Sequence, residues 1–325
     1  MAQSSEDPSL DNLHTDRPLR TLAPTPTAPV LALPYWMAFA TIPRQGSTSV
    51  ELLKKLLHGS RSQNSMSKEP FFIREGSAFI PQPLCRGVWD PRSLNGRVVV
   101  ALCGFQIEQS HPLAGYMPAR LTVDMYRLPG FAPIEIVTRV VRDGGRVKVI
   151  DAEFLADGVS YARATSQWLK RTENAQGNVW SPEPWQVPEP EALPEPPNLT
   201  GGALSSRTIT GALGTCGQRR VWLRDNCELV GGTPLTPFMR VALIADLANP
   251  FSNSGDRGLA YINSDVTVYL HRQPVDEWIG LEVINHHATE GVAIGEALLY
   301  DRTGAIGMSS VCGLAQRQVA RPGRQ

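Results

Sequence analysis

The sequence predicts an α+β fold built from one unit used twice: a buried helix wrapped by an antiparallel sheet. Three observations predict it. Two stretches, "LNGRVVVALCGFQIEQ" and "RVALIADLANPF", are apolar on nearly every face, as helices surrounded by protein are. Each is followed by long β-rich runs broken by turn signals. The two sets of runs also correspond. Arg127 and Pro129 match Arg272 and Pro274, and the turn at Gly158 matches the turn at Gly304. A supersecondary pattern repeated at this length marks a duplicated unit.

In chain order, residues 1–65 are rich in Pro, Ser and Thr and read as a flexible N-terminal extension. Only "SVELLKKLLHGS" shows helical periodicity there, with Leu52, Leu53, Leu56 and Leu57 on one side. The first unit spans 66–171, with a helix near 94–109. Strands follow in "ARLTVDMYRLPG" and in "PIEIVTRVVRDGGRVKVIDAEFLADGVSYARATSQWLKR", whose Asp-Gly pairs at 143–144 and 157–158 read as hairpin turns. Residues 172–217, dense in Pro and Glu, read as an extended linker. The second unit spans 218–317. Thr236 can cap its helix and Pro237 can occupy the first turn, so the helix is expected over 236–249, ending near Asn249–Pro250. A strand in "AYINSDVTVYLHRQP" and a three-strand meander complete the unit, and 318–325 form a tail. Each antiparallel unit alone would leave an open edge, so the two sheets are expected to join edge to edge.

Composition narrows the function. The 325 residues are 42% hydrophobic, enough for one large or two medium cores. Lys+Arg and Asp+Glu both number 31. No basic stripe points to nucleic acid, and no polybasic cluster points to a membrane surface. No apolar run is long enough to span a bilayer. "MAQSSEDPSLDNLHTDRPLR" has no apolar core, and its early acids argue against a transit peptide. The five cysteines have no metal-type spacing and read as free thiols in a reducing compartment. The expectation is a cytoplasmic protein without metal or cofactor. Further association into a homo-oligomer through remaining surfaces is compatible with it.

Asp246 is the residue that asks for an explanation. It is the single carboxylate on an apolar helix. A buried charge is costly, so this one should have partners, a shifted pKa or a job. A partly desolvated carboxylate can take a proton from water.

The segments "RGVWDPRSLNGRVV", "LTPFMRVALIADLANP", "YINSDVTVYLHRQPVDEWIGLEV" and "YDRTGAIGMSSVCGLAQR" resemble the double-hotdog acyl-CoA thioesterases of the acyl-CoA thioesterase II type. The resemblance covers about residues 66–317. It implies a double hotdog, with two long central helices each wrapped by an antiparallel sheet, and an acyl-CoA or other acyl thioester as substrate. It also implies a site in the second hotdog: an Asp, a Thr and a Gln that hold and activate a water. The Asp falls on Asp246, the Thr on Asn263 and the Gln on Cys312. Asn263 can still hydrogen-bond a water, but a thiol cannot replace an amide. In the first hotdog the position of the Asp is Cys103, so that half is expected to be catalytically empty.

Strand parity bears on this set. On a regular strand Asn263 shares a face with Asp265, Thr267 and Tyr269, opposite Val266, Val268 and Leu270. It reaches Asp246 only through a bulge or an entry bend. Met239, Leu243, Val266 and Thr267 are the expected lining of an acyl slot, although Thr267 is also an ordinary β-former. Asp265 is expected to pair with His271 or Arg272. Cys312 is expected to be a buried structural thiol, and His286 and His287 to lie solvated between strands.

The reading is a thioester hydrolase using an Asp-activated water. Its alternative is a non-hydrolytic hotdog enzyme, an isomerase, dehydratase or cyclase of lipid or polyketide-type metabolism, using the same pocket. The missing Gln favours that alternative. A binding protein with a decayed site is the third reading, and the acid retained on an apolar helix argues against it.

Overall fold

The computed structural model describes residues 69–196 and 202–320. The expected N-terminal extension and its leucine periodicity lie outside the described residues. The first half runs β1 (Phe72–Glu75), β2 (Ala78–Pro81), α1 (Gly96–Ser110), β3 (Tyr116–Met125), β4 (Ile134–Asp143), β5 (Val147–Ala156) and β6 (Val159–Lys170). The second runs β7 (Leu204–Thr210), β8 (Arg220–Asp225), α2 (Pro237–Ala245), α3 (Ala248–Asn253), β9 (Ser254–Gly255), β10 (Gly258–Asn263), β11 (Asp265–Leu270), β12 (Ile279–Thr289), β13 (Val292–Asp301) and β14 (Gly304–Ala320).

All fourteen strands belong to one sheet, whose main path is β1-β2-β4-β5-β6-β3-β11-β14-β13-β12-β8-β7. The order reads the same outward from the middle: β3 corresponds to β11, β6 to β14, β5 to β13 and β4 to β12. The seam is the antiparallel β3–β11 pair, with Val123 opposite Val266 and Leu121 opposite Val268. Joining there leaves neither half with an open central edge. Asp157 and Gly158 both have positive φ, 50° and 71°, as a tight hairpin with right-handed strand twist requires.

Two expectations about boundaries change. The opening hairpin of each half was not foreseen, and β7 lies inside the stretch read as linker, where it pairs with β8. The linker itself is docked: the Trp185 ring stacks on Tyr300 at 4.2 Å and meets Trp222 edge-on at 5.0 Å. At the other end, β14 continues to Ala320, into the residues expected as a tail.

The expectation of two long central helices is also corrected. α1 is one continuous helix of 15 residues, buried from Arg97 to Phe105 and again at Ile107. Asn95 caps it by accepting from the Arg97 N–H at 3.2 Å. The second helix is broken in two, α2 of nine residues and α3 of six. Thr236 caps α2 as expected, accepting from the Met239 N–H at 3.2 Å. The break has a cause in Pro250. In a continuous helix residue 250 would donate to the carbonyl of residue 246, and proline has no N–H to give. Asn249 donates to that carbonyl instead, at 3.1 Å, and Leu247 donates to Ile244 at 2.9 Å. The turn tightens to a three-residue repeat centred on Asp246.

Candidate active site

Asp246 sits at this break, 6% exposed. Its side chain has a direct partner in Asn263, whose Nδ2 donates to Asp246 Oδ1 at 2.8 Å. The parity obstacle is removed by a bulge. Asn263 pairs with Gly313, but four residues later Thr267 pairs with Ser310, only three residues back along β14. One extra residue is therefore accommodated at Ser264 and Asp265. Asn263 turns inward to Asp246, while Val266 and Val268 still face the core.

The same bulge decides where Cys312 lies. The Cys312 N–H donates to Asp265 Oδ1 at 2.6 Å, and Cys312 itself is exposed. Its neighbour Val311 is 2% exposed, so Cys312 faces out with Asp265 rather than in with Asp246. Cys312 is thus not a buried thiol, which corrects the expectation. Partial burial, then the neighbouring Asp265 charge, raises its pKa, so the thiol stays protonated and is a poor nucleophile. Of the three residues proposed to be catalytic, Asp246 and Asn263 come together and Cys312 does not join them. Asp265 bonds Cys312 rather than His271 or Arg272, and Arg272 is committed to Asp301.

The first half meets the second at this point. Asp246 packs against the start of α1: a β-carbon on Gly96 would lie 2.9 and 3.0 Å from its carboxylate oxygens. The absence of a side chain at Gly96 is what lets the carboxylate approach a helix N-terminus, where first-turn N–H groups lack intrahelical partners and favour negative charge. Arg97 lies beside it, donating to the Leu243 carbonyl at 3.2 Å and ion-paired with buried Asp225. Burial raises the Asp246 pKa, against the opposing pull of the Asn263 amide and of Arg97. Cys103 fills the corresponding position of α1 as an apolar core residue, with its thiol pushed by burial to about 12.

A cleft of about 1940 Å³ opens on this junction. Asp246, Asn249 and Asn263 line it from the second half, and Asn95, Gly96 and Arg97 from the first. The four residues expected to line the acyl slot do not line this cleft. Met239, Leu243 and Val266 are 1%, 0% and 0% exposed. They fill the contact between helices and sheet; a β-carbon on Gly104 of α1 would touch Met239 Cε at 3.3 Å. Thr267 faces outward at the seam and bonds Thr122 at 3.1 Å.

Sequence reasoning missed a set of polar residues behind the carboxylate. Asn249 Nδ2 donates to Asn263 Oδ1 at 2.9 Å, and Asn253 Nδ2 donates to Asn249 Oδ1 at 2.9 Å. Asn253 Oδ1 pairs with His286 Nδ1 at 2.8 Å. His286 is exposed as expected, but it lies within β12 rather than between strands. The signal was present: Asp246, Asn249 and Asn253 are spaced i, i+3, i+7, one face of a helix.

Residues 181–311 match the family model for the acyl-CoA thioesterase C-terminal domain. The chain superposes on the tesB protein of Mycobacterium avium subsp. paratuberculosis with TM-score 0.58 and 17% identity, covering 75% of this chain and 96% of that one. For acyl-CoA thioesterase II TesB2 of Mycobacterium marinum the values are 0.56, 16%, 74% and 94%. For a hot dog fold protein of unknown function from Alicyclobacillus acidocaldarius they are 0.60, 17%, 76% and 96%. At these identities the structures establish the fold, which is the hotdog. Comparison with curated proteins gave no match. The fold is thus the hotdog, and residues 181–311 are similar to a domain of acyl-CoA thioesterases. Among the described residues, no helix is long and apolar enough to cross a membrane.

Proposed function

We propose that the chain hydrolyses acyl thioesters at the cleft between its halves, with Asp246 as the acid-base group and Asn263 holding it. The observation that supports this is the buried carboxylate wedged between the Asn263 amide and the Gly96 end of α1. Asp246 takes a proton from a water, and the resulting hydroxide adds to the thioester carbonyl. Backbone N–H groups bordering the cleft stabilise the oxyanion. The tetrahedral intermediate collapses, the C–S bond breaks, and the proton on Asp246 passes to the leaving thiolate. The products are a carboxylic acid and a free thiol. The exposed arginines that border the cleft, Arg127 and Arg257 among them, suit an anionic carrier such as the CoA phosphates.

Non-hydrolytic chemistry is the second reading. The observation favouring it is the outward position of Cys312, which leaves the carboxylate with Asn263 where the resemblance implies a Thr and a Gln. One experiment separates the readings: incubation with a series of acyl-CoAs while free thiol is measured. Release of thiol by the native protein, lost in Asp246→Asn with the fold intact, supports hydrolysis. No thiol release from any acyl-CoA, with chemical change in the acyl group, establishes the second reading.

A further inference from the structure

The amides behind Asp246 form a chain whose direction is fixed by its inner end. A carboxylate and a backbone carbonyl only accept. Asn263 Nδ2 lies 2.8 Å from Asp246 Oδ1 and 3.1 Å from the Asp265 carbonyl, so both of its hydrogens are committed and its oxygen must face Asn249. Asn249 Nδ2 supplies that oxygen and also lies 3.3 Å from the Tyr261 carbonyl, so the Asn249 oxygen must face Asn253. Asn253 Nδ2 supplies it in turn, which leaves the Asn253 oxygen facing His286 Nδ1. That last contact is satisfied only if His286 carries its proton on Nδ1. Asn249 and Asn253 are 2% and 3% exposed, so neither of these two amides can be turned by solvent at low cost.

We propose that His286, Asn253 and Asn249 are positioning residues: a one-way series of donors, starting at the surface, that keeps the Asn263 amide turned with its NH2 on Asp246. The proposal rests on the reading of Asp246 as the acid-base group. Each donor polarises the next, so the bond reaching the carboxylate is stronger than an isolated amide bond. Without His286, the Asn253 oxygen is left to water, and the series loses the donor that polarises it from its outer end. The charged or titratable groups around the series are Arg97 and Asp265 at the Asp246 end, and Tyr261, His287 and Arg219 near His286. The Asn263 bond lowers the Asp246 pKa against burial, so a loosened series moves the carboxylate upward.

The test uses the full chain and the exposed end, where substitution spares the core. His286→Leu removes the donor, and His286→Asn places an amide N–H where Nδ1 was. Three readouts apply: ¹⁵N chemical shifts of His286, the ¹³C titration of the Asp246 carboxyl assigned by Asp246→Asn, and kcat and KM with acyl-CoA. Expected are the Nδ1–H tautomer in the native protein, an upward titration shift in His286→Leu, and a kcat several-fold lower at unchanged KM. His286→Asn should return both to near the native values. An Nε2–H tautomer, an unmoved titration in His286→Leu, or no recovery in His286→Asn overturns the proposal. The tautomer and the titration need no turnover. If the native protein releases no thiol, the hydrolytic reading fails while these two still decide the proposal.

Discussion

Pro250 stands four residues after Asp246, and Asn249 rather than Pro250 donates to the Asp246 carbonyl, at 3.1 Å. The proline thereby sets the direction of the carboxylate, because the tightened turn rotates residue 246 away from its place on a regular helix. Pro250→Ala restores the missing N–H and lets α2 run into α3. The expected outcome is a kcat for thioester hydrolysis lowered at least about 10-fold, as misplacing a reacting group by an ångström does. Thermal stability should hold or rise, since a proline is removed from a helical segment. Steady-state kinetics and a melting curve check both.

Asp246 also carries a stability cost that pH should reveal. Its folded pKa is raised by burial above the unfolded value. The folded state then binds the proton more tightly, so folding is favoured below the unfolded pKa, and stability is lost as pH rises through the folded one. Asp246→Asn has no such charge. Its melting temperature should exceed that of the native protein at pH 7, and the gap should narrow as pH falls toward the ordinary carboxylate range. A melting temperature well below native at pH 7 would show a structural carboxylate instead.

Much of the fold could be read from residues. Fully apolar helices, Asp-Gly turns and the matched Arg and Pro positions carry their information locally, so the duplication and the α1 boundary near Gly96 were visible. The site was only half visible. Asp246 stands out because a charge in an apolar run is improbable without a reason. Asn263 could be joined to it only through a bulge, and a bulge is a register difference between β10–β11 and β14 that no single stretch encodes. Gly96 escaped because it acts through an absent side chain, felt by a residue 150 positions away. The assignment of Met239, Leu243 and Val266 to a pocket failed because apolar residues on a helix read alike whether they face a ligand or the core.

The second half has an ion pair whose loss should unfold it in acid. The Asp301 side chain is fully buried and accepts from Arg272 at 2.6 and 2.7 Å, from the Val275 N–H at 2.9 Å, and from Thr303 N–H and Oγ1, both at 2.8 Å. Burial alone would raise its pKa, but Arg272 and these donors hold it at about 2. The folded value is below the unfolded one, so its contribution is full above the ordinary carboxylate range and disappears as pH falls toward 2. Asp301→Ala leaves Arg272 without its partner and should cost about 3 kcal/mol, measured by denaturant unfolding at neutral pH. The native protein should lose that advantage over the variant as pH falls from 4 toward 2.

Cys312→Gln tests whether the resemblance can be restored by one residue. Position 312 points outward with Asp265, on the face opposite Val311. A Gln there should extend along the outer surface without meeting Asp246. Thioester hydrolysis is expected within about twofold of native, below the tenfold that a 1.4 kcal/mol gain would give. A rise of tenfold or more would show that a Gln at 312 reaches the cleft.

Gly96→Ala tests the junction of the two halves most directly. In the first turn of a helix, alanine is ordinarily favoured over glycine, by up to about 1 kcal/mol. Position 96 offers no room for that benefit, because the new β-carbon would lie 2.9 Å from Asp246 Oδ2 and 3.2 Å from its Cγ. The carboxylate must swing away from α1, which also strains its bond from Asn263. Stability should change by less than about 1 kcal/mol, because helix preference and displacement oppose each other. kcat should fall about 100-fold, as for a displaced general base, while KM, set by the rest of the cleft, stays within a fewfold of native. The same substitution in Asp246→Asn should have little further effect on rate, since two changes that remove one function are not additive. If Gly96→Ala alone turns over at the native rate, the carboxylate works without its approach to α1, and the first half contributes nothing to the chemistry.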